Sequence, residues 1–217
     1  MKLIAIALVA CIGWSAATAQ TPVGLAAAQS AGPLVTIAAL DVPRYMGTWY
    51  EISKYPNRFQ KKCVAETQAQ YKLQANGSVQ VINRCRKDTG EIDEAIGEAR
   101  QMGVATSPKL QVRFAPSWLS MLPFVWGDYW VIDLDDGYQL VAVSEPKREY
   151  LWVLSRAPTV DAKSYDALLV RLKVQGFDLG RLELSRQGKY ALQNNLSNFN
   201  WIKRVVPLSM EVVFADA

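Results

Sequence analysis

Histidine is absent from the 217 residues, and its absence excludes several kinds of active site. A Ser–His–Asp or Cys–His nucleophilic site cannot form, and neither can a zinc or haem site with histidine ligands. The sequence also shows neither a glycine-rich phosphate loop nor two carboxylates placed as an acid–base pair. Asp133, Asp135 and Asp136 fit a polar strand end that enters a turn at Gly137 better than a metal site. We therefore predict no metal and no cofactor.

Strong charge and long apolar runs are lacking as well. The chain has 24 Lys+Arg and 20 Asp+Glu, a net charge of +4, and no block of basic residues, so nucleic acid is not an expected partner. The two most apolar segments, residues 3–14 and 117–130, are shorter than the roughly 20 residues of a membrane-spanning helix. Half of the residues are hydrophobic, which is enough to build one domain with a buried core.

The N-terminus has the pattern of an export signal. An early lysine precedes an apolar stretch, and Ala17-Thr18-Ala19 fits the small residues before a cleavage site at Gln20. In the alternative interpretation, Cys11 of Leu-Val-Ala-Cys is the lipid-modified cysteine of a bacterial lipoprotein. Either way the protein leaves the cytoplasm for the periplasm, with attachment to the outer membrane if Cys11 carries lipid.

The predicted organisation has four parts. A signal peptide (1–19) is followed by a flexible linker (20–39) of low-complexity Ala, Gly, Pro and Ser sequence. A folded domain covers residues 40–188, and a tail of unassigned structure covers 189–217.

Two cysteines, Cys63 and Cys85, remain in the exported chain if Cys11 is removed. Cysteines of exported proteins commonly pair, and these two flank a predicted hairpin with the same strand parity. We predict a disulfide between them; two separate buried thiols are the alternative.

Short strands separated by turn signals dominate residues 47–156. Asn76-Gly77 is typical of a hairpin turn, and a helix is predicted between Asp161 and Gly176, followed by a short strand at about 181–185. The helix has one apolar stripe, formed by Tyr165, Leu168, Leu169 and Leu172. Together these patterns predict an all-β fold, an up-and-down sandwich or barrel. Of these we favour an eight-stranded antiparallel up-and-down barrel with one C-terminal α-helix packed outside. The predicted strands cover about 47–55, 63–73, 78–86, 92–102, 109–115, 128–134, 138–144 and 150–156.

The alternation of side chains predicts a hollow barrel. In the second and fourth strands small residues share one face and charged or amide residues share the other, so the small ones point inward. An eight-stranded barrel is filled by side chains or holds one small ligand. We predict a cavity walled also by Leu110, Val112 and Phe114; a centre filled by bulky residues is the alternative. The inward sets are Ala65, Thr67, Ala69 and Tyr71 in the second strand, and Ala95, Gly97 and Ala99 in the fourth.

Three short motifs resemble the signatures of the lipocalin family. Gly47-Thr48-Trp49-Tyr50 resembles the G-x-W motif of the first strand, and Gly127-Asp128-Tyr129 resembles the T-D-Y segment with glycine replacing threonine. Arg156 resembles the single arginine that ends the last barrel strand. Over residues 40–188 the sequence is most similar to bacterial and apolipoprotein D-like members. The resemblance implies that Gly47, Trp49 and Arg156 form the closed end of the barrel, with the guanidinium over the indole.

The resemblance also implies a function, the binding of fatty acids or lysophospholipids for storage or transport in membrane maintenance. The expected partner is thus a lipid or another small hydrophobic ligand, and the protein is not expected to be an enzyme. A lipocalin-fold isomerase or synthase, and a pigment binder, are the alternatives. Trp152 matches an inward tryptophan of the family, and strand parity or the signature adds Tyr71, Phe114, Tyr129, Ala69 and Ala99 as cavity residues.

The segment 117–130 is too apolar for an ordinary solvated loop. Three interpretations are open: a lid or wall of the cavity, a contact with a membrane surface, and a homodimer interface. The residues assigned to this mouth loop are Trp118, Leu119, Met121, Phe124 and Trp126.

Overall fold

The computed structural model describes residues 32–115, 119 and 121–188. Two α-helices lie within these ranges, α1 (Val42–Tyr45) and α2 (Ala162–Val174). The nine strands there are β1 (Gly47–Lys54), β2 (Cys63–Leu73), β3 (Val79–Lys87), β4 (Ile92–Gln101), β5 (Lys109–Arg113), β6 (Gly127–Leu134), β7 (Leu140–Ser144), β8 (Leu151–Ser155) and β9 (Glu183–Leu184).

The first eight strands close into an antiparallel barrel. Each strand pairs with its neighbour in sequence from β1 to β8, and β1 also pairs with β8. The short β9 pairs with β1 outside the closed ring. The predicted fold class is confirmed, and the predicted strands agree with the observed bounds to within about two residues.

A β-bulge in β2 changes one of the predicted faces. Glu66 has φ +54°, and the pairing of β2 with β3 shifts between Ala65 and Gln68. The inward alternation therefore holds from Thr67 to Tyr71, but Ala65 lies outside the cavity wall. The prediction for Ala65 is wrong because the bulge adds a residue to one strand only and so reverses the parity.

Helix α2 covers one outer face of the barrel, as predicted. The Asp161 carboxylate accepts a hydrogen bond from the Ser164 amide at 2.9 Å and caps its first turn. Gly176, with φ +88°, lies just past its end. The four residues of the predicted apolar stripe are all buried, in a core shared with outward side chains of the barrel such as Ile132 and Val153.

Residues 32–39, assigned to the flexible linker from the sequence, are instead packed against the barrel. Leu34 is buried in the core beneath α2, and the Ile37 amide donates to the Val131 carbonyl at 3.1 Å. The linker prediction is therefore wrong for this part, because its few aliphatic side chains find apolar surface to bury. The predictions for residues 20–31, the signal peptide, Cys11 and the tail 189–217 lie outside the described residues.

The predicted disulfide between Cys63 and Cys85 is present, with the two Cα atoms 5.5 Å apart. It links β2 to β3 across 22 residues of sequence. A cross-link of this span stabilises a fold by about 3 kcal/mol in the chain-entropy model.

Across the part of the chain that the structure describes, no helix combines the length and the apolar composition needed to cross a membrane.

Candidate functional site: the barrel cavity

The barrel encloses a cavity of about 720 Å³, within the range of 300–1,000 Å³ that is usual for ligand pockets. Its wall is mainly apolar, and its centre is empty because β2 and β4 contribute alanines where bulky side chains would fill it. All six residues predicted from the sequence as cavity residues lie on this wall: Trp152, Tyr71, Phe114, Tyr129, Ala69 and Ala99.

Gly97 explains how Phe114 fits into the wall. A Cβ atom at Gly97 would lie 2.5 Å from the Arg113 carbonyl oxygen and 2.7 Å from the Phe114 ring. The absence of a side chain therefore lets β5 and the aromatic ring approach β4 closely.

One end of the barrel is closed by the signature residues. Trp49 is fully buried, and its indole N–H donates to the Tyr45 carbonyl at 2.9 Å. The Arg156 guanidinium lies 3.9 Å from the centre of the Trp49 ring and donates to the carbonyls of Arg44 and Thr48 at 2.9 and 3.1 Å. Gly47 has φ +100°, and a Cβ there would lie 3.1 Å from Arg156, so glycine suits this position on both counts.

Three tyrosines form the polar floor of the cavity above this closed end. The Tyr129 hydroxyl lies 2.8 Å from the Tyr45 hydroxyl and 3.1 Å from that of Tyr71. Burial raises the pKa of Tyr71 to about 12 and raises the pKa values of Tyr45 and Tyr129 well above 10. The hydroxyls therefore keep their protons at neutral pH and act as hydrogen-bond donors.

Tyr45 was not identified from the sequence. It belongs to α1, a four-residue helix that Asp41 caps by accepting from the Arg44 amide at 3.1 Å. An element this short gives no periodic signal, so only the folded structure brings Tyr45 beside β2 and β6.

A second polar cluster, also missed from the sequence, lies toward the open end. The Glu51 side chain is 2% exposed and accepts from Gln60 Nε2 at 2.5 Å and Lys54 Nζ at 3.1 Å. Gln60 Oε1 in turn accepts from Trp152 Nε1 at 2.9 Å. The cluster holds the loop after β1 against the cavity wall. Glu51 lies two residues after Trp49 in β1, so the two side chains share one face of the strand. This alternation is the sequence signal that could have identified Glu51 as an inward residue.

The open end, or mouth, carries exposed apolar side chains. Phe124 is 80% exposed, with Phe59 and Phe114 beside the same opening. In the same loop Met121 is 88% exposed and Leu119 is half-buried. Trp118 lies outside the described residues.

Trp126 also lies at the mouth, where it is half-buried and lines the cavity opening. Its ring lies 4.0 Å from the Arg100 guanidinium and 5.1 Å from that of Arg113. Two cation–π contacts therefore hold the indole at the rim of the barrel.

No group of three or more acidic or cysteine side chains is arranged to hold a metal ion within the described ranges. Asp133 pairs with Arg171 at 2.6 Å, and Asp135 accepts from the amides of Gln139 and Leu140 at 2.7 and 2.5 Å. These carboxylates fasten α2 and a turn to the barrel.

Comparison with known proteins agrees with this architecture. A family model described as a lipocalin-like domain matches residues 40–187. Temperature-induced lipocalin-1 of Arabidopsis thaliana is 35% identical over 162 residues, 73% of this chain and 86% of the relative. The outer membrane lipoprotein Blc of Escherichia coli is 37% identical over 142 residues, 65% of this chain and 76% of the relative.

A more distant relative and a solved structure extend the comparison. Apolipoprotein D of Mus musculus is 31% identical over 154 residues, 68% of this chain and 77% of the relative. The crystal structure of insecticyanin from Manduca sexta matches with a TM-score of 0.57 at 17% identity, over 73% of this chain and 86% of that one, a likeness of fold alone. The chain belongs to the lipocalin family.

Proposed function

We propose that the protein is an exported, non-enzymatic carrier that holds a fatty acid or a lysophospholipid for storage or transport in membrane maintenance. The observation that carries the proposal is the apolar cavity of about 720 Å³, open at one end and closed at the other. Binding of small hydrophobic ligands is the shared property of lipocalins, and the cavity has the size and lining that this requires.

The energetics favour a long apolar ligand. Each methylene moved from water into the cavity contributes about 0.8 kcal/mol, so a chain of a dozen carbons gains roughly 10 kcal/mol before the costs of association. Such a gain supports useful affinity without a strongly charged head-group site.

The names of two relatives support the lipid assignment and the location. One is an outer membrane lipoprotein and one is an apolipoprotein. For this chain we infer export to the periplasm, with attachment to the outer membrane if Cys11 is the lipidated residue.

The side chains that line the cavity favour a carrier over an enzyme. Cys63 and Cys85 form a disulfide, so neither supplies a nucleophilic thiol. Glu51, the buried carboxylate of the cavity wall, is already engaged by Gln60, Lys54 and Ser185.

Mass spectrometry of lipid extracted from the protein, purified from its own compartment, tests the carrier function. We expect single-chain lipids in about equimolar amount, and displacement of a fluorescent fatty acid by dodecanoate in vitro. A protein that carries no extractable lipid and does not bind the fluorescent fatty acid would contradict the proposal.

We further propose that the mouth touches a membrane surface during ligand transfer. The exposed rings of Phe124 and Phe59 lie beside the opening, as does Arg58, and Lys61 is exposed in the same loop. Aromatic and basic side chains in this combination suit the interface of an anionic bilayer.

The variant Phe124→Asp tests this contact. Removing one buried phenylalanine from the lipid interface costs about 1.5–3 kcal/mol, so transfer of a fluorescent fatty acid to anionic vesicles should slow at least about tenfold. Val104→Asp is the matched control, because Val104 is 70% exposed in the loop between β4 and β5, at the end of the barrel opposite the mouth. Equal transfer rates in the two variants would refute the membrane contact, and a change of oligomeric state in Phe124→Asp alone would favour a homodimer interface.

A further inference from the structure

The hydroxyl cluster of Tyr45, Tyr71 and Tyr129 holds one more donor than its own hydrogen bonds use. Three hydroxyls carry three hydrogens, and the cluster makes two contacts, Tyr45–Tyr129 and Tyr71–Tyr129. In the described part of the chain these are the hydrogen bonds recorded for the three hydroxyl groups. Whichever way the two bonds run, one hydrogen remains to be donated.

The spare hydrogen lies where only a ligand or a water molecule can accept it. Tyr45 and Tyr71 are 2% and 8% exposed, and all three side chains line the cavity. A buried donor without an acceptor is costly, and the neighbouring wall residues, such as Val79, Val143 and Leu154, are aliphatic. The floor therefore has one polar requirement that a hydrocarbon end cannot meet.

The electrostatic environment favours the negative end of a dipole at this place. Burial holds the tyrosine pKa values high, so the hydroxyls stay neutral donors, while the positive charge of Arg156 acts in the opposite direction on Tyr45 and Tyr71. A carboxylate would lose its hydration there without a direct ionic partner, which is expensive. An uncharged oxygen fits better.

We propose that the cavity floor binds an uncharged ligand oxygen, the carbonyl of a ketone, ester or protonated acid, or a hydroxyl, through the free hydrogen of the Tyr45–Tyr71–Tyr129 cluster. This inference rests on the proposed carrier function and deepens it. A ligand bound in this way enters with its oxygen leading. Of the two ligand classes in the proposed function, this favours the fatty acid, bound in its protonated form, over the lysophospholipid, whose charged head group would stay at the mouth.

The decisive variant replaces all three tyrosines with phenylalanine. Removing one or two hydroxyls still leaves at least one unpaired hydrogen, so Tyr71→Phe/Tyr129→Phe should keep the preference for an oxygen-bearing ligand and only the triple variant should lose it. Because the whole network is replaced by apolar groups of the same shape, the fold should be little affected.

The measured quantity is the affinity for 2-tridecanone relative to that for 1-tridecene, each in competition with a fluorescent apolar dye. The ratio should fall about tenfold from wild type to the triple variant, with the alkene affinity kept or improved. Tyr150→Phe is the matched control at the mouth, since Tyr150 also lines the cavity and stacks on Trp152; it should leave the ratio unchanged.

The outcomes separate this inference from the carrier function. Wild-type protein that binds neither compound contradicts the carrier proposal itself. Binding of both with an unchanged ratio in the triple variant overturns only the floor contact, and means that a resident water takes the spare hydrogen. If the triple variant does not fold, the infrared carbonyl band of ketone bound to wild type decides. A carbonyl stretching frequency equal to that of the ketone dissolved in alkane or in bulk water overturns the inference. A narrow band at another frequency, lower than that in alkane, supports it.

Discussion

Ala99→Trp is expected to weaken the binding of a twelve-carbon fatty acid by about a hundredfold while the barrel stays folded. Ala99 is buried on the inward face of β4 and lines the cavity, with Val79 opposite it on β3 and Val112 opposite it on β5. An indole at this position enters the empty centre. It takes the place of about four methylenes of the ligand, each contributing about 0.8 kcal/mol, and about 3 kcal/mol corresponds to roughly a hundredfold in affinity.

The same strand offers a matched control. Ile96 lies three residues before Ala99, on the outward face, and is 56% exposed, so Ile96→Trp adds the same ring outside the barrel. Fluorescent fatty-acid displacement should show near wild-type affinity for Ile96→Trp, and thermal unfolding should show both variants folded. An Ala99→Trp protein that binds the fatty acid as well as wild type would mean that the ligand lies elsewhere.

The barrel could be predicted because local and long-range signals agree along most of the chain. Asn76-Gly77 specifies one hairpin turn, and Gly77 has the positive φ, +83°, that such turns need. The alternation of Ala95, Gly97 and Ala99 with charged residues fixes which face of β4 is inward. The helix cap at Asp161 and the cysteine pair could also be predicted from the sequence, since each depends on a short motif or on a known chemical preference.

The errors occurred where a backbone irregularity or a distant contact decided the structure. A positive φ at Glu66 reverses which side chains of β2 point inward before that residue. No glycine, asparagine or proline at this position indicates the irregularity in the sequence. Tyr45 joins the cavity floor only because a four-residue helix lies across the barrel end. In each case the partner is remote in sequence.

Trp49→Ala is expected to lower the free energy of unfolding by about 3–5 kcal/mol, the usual cost of truncating a fully buried aromatic side chain. The indole packs on the Tyr45 ring, with the ring centres 5.0 Å apart, and its face contacts the Arg156 guanidinium. Its loss opens the closed end and leaves the guanidinium without its aromatic partner. A domain with a total stability of 5–15 kcal/mol would lose a large share of it.

Urea unfolding of Trp49→Ala, Arg156→Gln and the double variant measures how the two side chains couple. We expect a coupling free energy of about 1–2 kcal/mol, since Trp49 is fully buried and Arg156 is half-buried in this cation–π contact. Trp126→Ala is the matched control, because Trp126 also stacks on guanidinium groups but lies half-buried at the rim of the mouth; its loss should cost only about 1 kcal/mol. If Trp49→Ala lowers the free energy of unfolding no more than Trp126→Ala does, Trp49 does not close the barrel. In that case the cavity floor above it, and the oxygen-binding tyrosines in that floor, lack the rigid support that their hydrogen bonds require.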